Sequence, residues 1–315
     1  MDRLCSGRSG FGMGVKSAVS SSSCSCSSIG ARRARALASG SSVLQKRSLG
    51  GVKGGSVSLP LSSKGYHHHH HLSSSSSARV VSVRSSSKYV FDPDNSSILV
   101  AGGGGVGIMV TRMLKDMGAW VWMLQRTDER REEIENMMAI VTNGDARNKE
   151  DVTRVFEEID DLDAVVSTIG GSPADPSSDG MGNINLIEAA AAAGVKRFVL
   201  VTSIGTGDSK NAPPSQVYEV LKPCLEEKEK AEERLKALAD KMDFVIVRPG
   251  GLKSEPKTNT GVLTTDVSVC GPIHREDVAS LVCKCLFSSE ATNKVYHAVD
   301  KEQTAAEKEY EITTL

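Results

Sequence analysis

The sequence predicts an α/β protein, a Rossmann-like doubly wound parallel sheet that forms a single domain after a disordered N-terminal leader. Three observations support this fold class. A glycine-rich turn separates an apolar run from a helical pattern, apolar runs and helical patterns then alternate to about residue 300, and the composition changes sharply near residue 91. Strands that alternate with helices are typical of a parallel sheet covered on both faces.

The predicted leader spans residues 1–91 and reads as a transit peptide followed by a disordered spacer. It contains 13 Lys or Arg, a single acid and many serines, without hydrophobic periodicity. This composition is typical of organellar targeting segments and of chains that bury too little apolar surface to fold. Because serine dominates, we predict the chloroplast stroma, with the mitochondrion as the alternative. The folded domain is predicted at 92–303 and a loose polar tail at 304–315.

The first strand and helix of the domain flank four consecutive glycines. The apolar run at 98–101 predicts a buried strand, and apolar residues at helical spacing predict a helix that ends at Gly118. Glycines with G-x-G-x-x-G spacing let the backbone turn tightly and approach a pyrophosphate at the helix N-terminus. The loop residues that we assign to a dinucleotide are Gly102, Gly104, Gly105, Val106 and Gly107.

The end of the second strand, predicted at 120–124, indicates which dinucleotide binds. NAD sites place an acid about 20 residues beyond the glycines, where it holds the ribose 2′-hydroxyl. This chain has Arg126 there, beside Gln125 and Thr127. A guanidinium can hold a 2′-phosphate through two parallel hydrogen bonds, so we predict NADP(H). The alternative is a surface arginine in the charged stretch 126–133.

The remaining elements continue the alternation. Ligands of open α/β sheets bind at the carboxyl ends of the strands. Asp145, Gly170 and Arg248 follow three of these strands and are our further candidates for cofactor contact, although turns and caps would use the same residue types. The predicted strands lie at 139–142, 164–168, 198–202, 244–247 and 294–299, and the predicted helices at 128–138, 149–159, 184–193, 223–240 and 277–287.

Several classes of function are disfavoured. The seven cysteines include no C-x-x-C pair, the two histidines outside the leader have no metal-ligand spacing, and the five at 67–71 lie in low-complexity sequence, so no metal site is predicted. No apolar run approaches the length of about 18 residues that suggests a transmembrane helix. Residues 92–315 hold 38 acids against 25 basic residues, which disfavours nucleic acid as a ligand.

Several motifs together resemble one family. The blocks A-G-V-K-R-F-V at 193–199 and I-V-R-P-G-G-L at 246–252, and the D-x-x-G-x-x-N run at 179–185, occur in order. Over about 96–300 the chain resembles the atypical short-chain dehydrogenase/reductases of the NmrA-like, NAD(P)-binding type. It departs from them at Ala101, where their loop has its first glycine. The resemblance implies either a reductase of flavin or biliverdin type, or a plastid protein that works in docking or assembly.

The resemblance also suggests catalytic groups. Tyr218 and Lys222 have the Y-x-x-x-K spacing, 15 residues after Ser203. In typical members of this superfamily such a tyrosine donates the proton, the lysine activates it, and the serine orients the carbonyl. Pro223 suits the first turn of a helix better than its interior, so we predict a helix break beside Lys222. Lys228 resembles the lysine of the atypical members themselves.

The function expected from the sequence is therefore an oxidoreductase that moves hydride from NADPH to a small carbonyl, quinone or flavin. The alternative is a non-catalytic protein that senses NADP(H) and docks to a protein partner. The sequence does not identify the substrate. We expect its pocket to come from the loops at 203–218 and 252–270, which are rich in glycine, proline and polar residues.

Overall fold

The computed structural model describes residues 92–304 and 309–315. The strands are β1 (Ser97–Ala101), β2 (Trp120–Gln125), β3 (Ile140–Asn143), β4 (Ala164–Ser167), β5 (Arg197–Val201), β6 (Asp243–Pro249), β7 (Gly251–Lys253), β8 (Gly261–Thr264), β9 (Pro272–His274) and β10 (Lys294–Asp300). The main helices are α1 (Gly105–Asp116), α2 (Arg131–Asn136), α3 (Lys149–Glu158), α4 (Asn183–Ala193), α5 (Ser215–Lys236) and α6 (Arg275–Phe287). The predicted leader lies outside the described residues.

Eight strands form one sheet in the order β3-β2-β1-β4-β5-β6-β10-β8. All neighbours are parallel except β8, which runs antiparallel to β10. The chain reverses its direction of travel across the sheet between β1 and β4, and this switch point is where open α/β sheets bind ligands. The predicted Rossmann-like fold is confirmed, and the antiparallel edge strand is an addition to it.

Two apolar layers cover the sheet. On one face α1 and α6 pack together over a core that includes Val100, Met123 and Val199. On the other face α3, α4 and α5 pack over Leu99, Phe198 and neighbouring side chains. Because both faces are buried, the central strands are almost continuously apolar. Each fully buried aliphatic side chain contributes about 1.5–3 kcal/mol relative to its exposed state.

The predicted break at Pro223 is wrong. Helix α5 begins at Ser215 and continues through Pro223 to Lys236, so Tyr218 and Lys222 lie on a single helix. Pro223 is exposed, whereas the next two residues, Cys224 and Leu225, are buried. A proline on the solvent side leaves the unpaired carbonyl of the preceding turn accessible to water. Burial of the opposite side then holds the helix together.

Three short strands and the C-terminus also differ from expectation. Strands β7, β8 and β9 were not predicted, and β7 pairs with β9 in a separate two-stranded sheet. The tail is not loose at 309–315, because the Thr313 amide donates to the Leu263 carbonyl oxygen at 2.8 Å and Leu315 packs against the core. Within 92–304 and 309–315, no helix combines the length and apolarity that crossing a membrane requires.

Candidate functional site: a cofactor groove and an adjoining apolar cavity

The glycine loop joins β1 to α1 through contacts that exclude larger side chains. Gly102 has a φ of +117°, and a Cβ on it would lie 2.6 Å from the Thr168 hydroxyl oxygen. A Cβ on Gly107 would overlap the Gly102 carbonyl oxygen. Gly104 caps α1, and a Cβ on it would meet only open space. The first amides of α1 are therefore accessible to an anion, which fits the pyrophosphate of a dinucleotide.

A groove of about 540 Å³ runs from this loop across the carboxyl ends of β1, β2 and β4. It brings together most of the residues that the sequence assigns to the cofactor. Its walls fit an extended nucleotide, because they combine backbone amides with charged side chains and few bulky groups. Among the assigned residues, those that line the groove are Gly102, Gly104, Arg126, Asp145 and Gly170. Gly105 and Val106 form the first turn of α1, and Val106 also lines the cavity described below.

Two guanidinium groups line the groove beyond β2. Arg126 is exposed, and Arg130 donates from Nη1 to the Gly103 carbonyl oxygen at 2.6 Å. Arg130 also pairs with Glu133 at 3.1 Å. The sequence analysis did not include Arg130 among the cofactor residues. Its position four residues after Arg126, in the same charged stretch, could have indicated it. Two arginines beside the end of β2 form a site suited to a phosphate.

Asp145 forms an ion pair with a neighbouring arginine. Arg147 Nη2 lies 2.6 Å from its carboxylate, and the Arg147 amide donates to the same group at 2.9 Å. The hydrogen bonds from the Arg147 side chain are the main reason that the pKa of Asp145 is lowered, although burial opposes the shift and Arg126 adds a smaller attraction. An ionised Asp145 in the groove can accept hydrogen bonds from a ligand.

A second, larger cavity adjoins the groove. It measures about 880 Å³ and shares Thr168, Ile169 and Gly170 with the groove. Most of its wall is apolar, and among the described residues that line it are Ile204, Pro213, Val217, Leu221, Leu225 and Leu252. Its walls come from the loop after β5, the first half of α5, and the segments around β7 and β9. The two loops expected to form a pocket both contribute, at Ser203 and Tyr218 and at Leu252 and Cys270.

Lys228 lies where groove and cavity meet. Its ammonium nitrogen is 2.5 Å from Asp179 Oδ1, and its side chain is 13% exposed. The Gly171 amide donates to Asp179 Oδ2 at 2.8 Å, so the carboxylate is fixed from its other side. A Cβ on Gly170 would lie 3.6 Å from the Lys228 nitrogen. Lys228 is thus a positioned cation beside the backbone that the two spaces share.

The other candidate catalytic residues divide into two sets. Ser203 and Tyr218 line the apolar cavity, and the Ser203 hydroxyl donates to the Ile204 carbonyl oxygen at 3.1 Å. Lys222 is exposed and does not line the cavity. The structure therefore brings Ser203, Tyr218 and Lys228 to one space and leaves Lys222 outside it.

Arg248 corrects the assignment made from the strand ends. It is 1% exposed and lines neither the groove nor the cavity. Its Nη2 donates to Glu232 Oε2 at 2.6 Å, and its Nη1 pairs with Asp208. Burial opposes the charge, but the bonds to Glu232 and Asp208 outweigh it and raise the pKa of Arg248. These contacts join β6 to α5, so Arg248 is a structural residue.

The potential metal ligands and the cysteines of the described residues form neither a metal site nor a disulfide. No group of three or more His, Cys, Asp or Glu in this part of the chain is placed to hold a metal ion. The four described cysteines are unpaired, and only Cys270 lines the apolar cavity. Burial raises the pKa of Cys283 and Cys285 to about 12, so both remain protonated at neutral pH.

Comparison with known proteins identifies the family. The sequence pattern of a family described as NAD(P)H-binding matches residues 102–289, more than half of the chain. The chain belongs to this NAD(P)H-binding family. Relatives and structural neighbours are consistent with the atypical, NmrA-like branch of short-chain dehydrogenase/reductases that the motifs resemble.

Sequence relatives of this family member include bacterial and plant proteins. It is 34% identical over 126 residues to the uncharacterized sugar epimerase YhfK of Bacillus subtilis, and 31% identical over 150 residues to an uncharacterized chloroplast protein of Arabidopsis thaliana. It is also 33% identical over 140 residues to the chloroplast protein TIC 62 of rice. These matches span 40%, 44% and 41% of this chain, and 55%, 53% and 27% of the relatives.

Solved structures show the same fold. The anaerobilin reductase ChuY of Escherichia coli O157:H7 superposes with a TM-score of 0.60 at 24% identity, over 67% of this chain and all of that one. An epimerase/dehydratase of Bacillus halodurans, described as putative and NAD-dependent, gives a TM-score of 0.58 at 26% identity, over 66% and 96%. The fold is therefore shared over about two thirds of this chain and over nearly the whole length of the two solved structures.

Proposed function

We propose that this NAD(P)H-binding protein is an NADPH-dependent oxidoreductase that reduces a small carbonyl, quinone or flavin. One observation supports this reaction above the others. The nucleotide groove and the apolar cavity meet at Thr168, Ile169 and Gly170, and Lys228 lies at that junction. A substrate in the cavity would lie next to a dinucleotide in the groove, with a cation beside both.

The residues of the loop and the groove would contact successive parts of NADPH. The glycine loop and the first turn of α1 would hold the pyrophosphate, while Arg126 and Arg130 would hold the 2′-phosphate and favour NADPH over NADH. Asp145 would accept hydrogen bonds in the same groove, and Gly170 would allow the cofactor to pass close to the backbone. When bound, NADPH supplies the hydride.

The side chains of the cavity would supply the rest of the chemistry. The Lys228 ammonium group, held by Asp179 at 2.5 Å, would stabilise negative charge that develops on a substrate oxygen. The Tyr218 hydroxyl or solvent would donate the proton, and Ser203 would orient the carbonyl. The apolar walls would lower the local dielectric constant around a bound substrate, which would strengthen these interactions.

A second function has its own support. Three of the sequence relatives are chloroplast TIC 62 proteins. The matches cover only 27%, 18% and 20% of the lengths of these proteins. A non-catalytic docking or assembly protein that senses NADP(H) would use the same groove, and the charged exposed side of α5 would suit a protein partner. In either function we place the protein in the chloroplast stroma, with residues 1–91 as its transit peptide and spacer and the mitochondrion as the second location.

Single-turnover kinetics test the catalytic proposal. NADPH bound to the wild-type protein is mixed with carbonyls, quinones and flavins, and its oxidation is followed by stopped-flow absorbance. We expect Lys228→Ala to slow oxidation by about 10²- to 10³-fold, the effect of removing one oxyanion-stabilising group. Tyr218→Phe tests the proton donor. Lys230→Ala is the matched control, because Lys230 is an exposed lysine of the same helix that pairs with Glu227.

Two results would change the assignment. Tight NADPH binding without oxidation by any acceptor would favour the docking protein. If Lys222→Ala abolishes turnover and Lys228→Ala does not, the catalytic residues would be Tyr218 and Lys222 of the Y-x-x-x-K motif.

A further inference from the structure

We infer that the substrate is an apolar molecule that carries an anionic group, and that Arg275 is the specificity-determining residue that binds this group. The inference rests on the proposed function, because it names the class of substrate that the apolar cavity would hold. It concerns a residue that the sequence motifs did not single out.

The charged side chains that line the cavity are all positive. Among the described residues that line it, none is Asp or Glu, whereas Lys228 and Arg275 are both cations. The positive charge of Lys228 is matched by Asp179 immediately behind it, at 2.5 Å. Arg275 is therefore the cation that gives this apolar space its net charge. An anionic substrate would pair with that charge through charge-assisted hydrogen bonds, whereas a neutral substrate would not.

The contacts of Arg275 leave much of its hydrogen-bonding capacity available. Nη1 donates to the Ser254 hydroxyl oxygen at 2.7 Å and to the Leu252 carbonyl oxygen at 3.4 Å, and both acceptors are neutral. Within the described residues the guanidinium forms no ion pair, and Nε and Nη2 have no hydrogen-bond partner. The adjacent Glu276 pairs instead with Lys257 at 3.2 Å. Two donors in a planar fork are suited to a carboxylate or a similar anion.

The position of Arg275 raises the question of which anion it binds. A Cβ on Gly105 would lie 2.8 Å from Arg275 Cδ, so the side chain passes against the first turn of α1. The anion could therefore belong to the substrate or to the cofactor pyrophosphate. Arg275 lines the apolar cavity and not the nucleotide groove, whose wall holds Arg126 and Arg130 instead. This difference favours the substrate.

The test compares two probes that differ in charge and not in shape. Binding of 2-naphthoate and of its neutral analogue 2-naphthamide is measured by isothermal titration calorimetry, with the protein saturated with NADP⁺ so that no turnover occurs. We expect the wild type to prefer naphthoate. Arg275→Gln should weaken naphthoate at least about tenfold, as expected for the loss of a hydrogen bond to a charged group, and should change naphthamide less than about twofold. Arg275→Lys should retain part of the preference.

Lys257→Gln is the control, since it removes a cation near the same helix end that does not line the cavity. It should leave both probes unchanged. The affinity of each variant for NADPH and its circular dichroism spectrum are recorded in parallel.

The inference fails if wild type does not distinguish the probes, if it binds neither, or if Arg275→Gln weakens both equally. It also fails if Arg275→Gln weakens NADPH and leaves naphthoate unchanged, because Arg275 would then belong to the pyrophosphate site. These measurements need no hydride transfer. A naphthoate preference that depends on Arg275 in a protein that never oxidises NADPH would support the anionic ligand and reject the oxidoreductase.

Discussion

Arg126 and the glycines of the loop differ in how strictly the structure constrains them. Gly102 and Gly107 are required by contacts within the protein, because a Cβ at either would collide with Thr168 or with the loop itself. Arg126 is exposed at the groove, and within the described residues it forms no hydrogen bond or ion pair that would explain it structurally. A role for Arg126 in binding therefore has to be tested with the ligand, and a substitution there should leave the fold intact.

We expect Arg126→Glu to weaken NADPH far more than NADH. The change removes a charge-assisted pair with the 2′-phosphate and adds repulsion, which together should cost about 2–4 kcal/mol. Fluorescence titration with both cofactors measures the difference. Arg112→Glu, an exposed arginine of α1 outside the groove, is the control for the change in net charge. Equal losses for NADPH and NADH would remove Arg126 from the phosphate site.

The elements of the large sheet were more predictable than the small ones. Strands β1, β4 and β5 are buried on both faces, and the resulting apolar runs in the sequence predict them. Strands β7 and β9 have three residues each and exist because they pair with each other across some 20 residues of chain, which no local pattern shows. In α5, burial of one side outweighs the local preference of Pro223. Sequence patterns therefore predicted several of the residues that line the groove. Tertiary packing determined that Lys228 and not Lys222 lines the apolar cavity, and that Arg248 lines neither space.

The connection between α5 and β6 depends on a buried ion pair. Arg248 and Glu232 are each 1% exposed, and the Thr202 hydroxyl also donates to Glu232 at 2.8 Å. Arg248→Met should lower the free energy of unfolding by about 3–5 kcal/mol, because Glu232 would be left buried without its main partner. Urea denaturation measures this change.

Two further variants show whether the stability loss of Arg248→Met comes from the unpaired Glu232. The double variant Arg248→Met/Glu232→Leu should recover part of the loss, since it leaves no unpaired buried charge. Arg154→Met breaks two exposed ion pairs on α3, with Asp151 and Glu158, and should change stability far less. A change for Arg248→Met as small as that for Arg154→Met would contradict the structural role of the buried pair.

Over the whole molecule, charge is distributed unevenly along the chain. Residues 1–91 carry 13 of the 38 basic residues and one of the 39 acids, which leaves 25 basic and 38 acidic residues for 92–315. The near-neutral total therefore combines a basic segment at 1–91 with an acidic one at 92–315. Two parts of such different composition are expected to serve different purposes, and a basic, serine-rich segment that is poor in acids is typical of plastid import.

We expect isolated chloroplasts to import the full-length chain and to remove its leader. Radiolabelled precursor should yield a shorter product that resists external protease and fractionates with the stroma, with a new N-terminus at or before residue 92. Changing Arg32, Arg33 and Arg35 to Glu should reduce import, because it lowers the positive charge of the leader without touching the domain. Isolated mitochondria, treated in parallel, test the second location. A protein that stays full-length outside the chloroplasts, or that only mitochondria process, would contradict the plastid assignment.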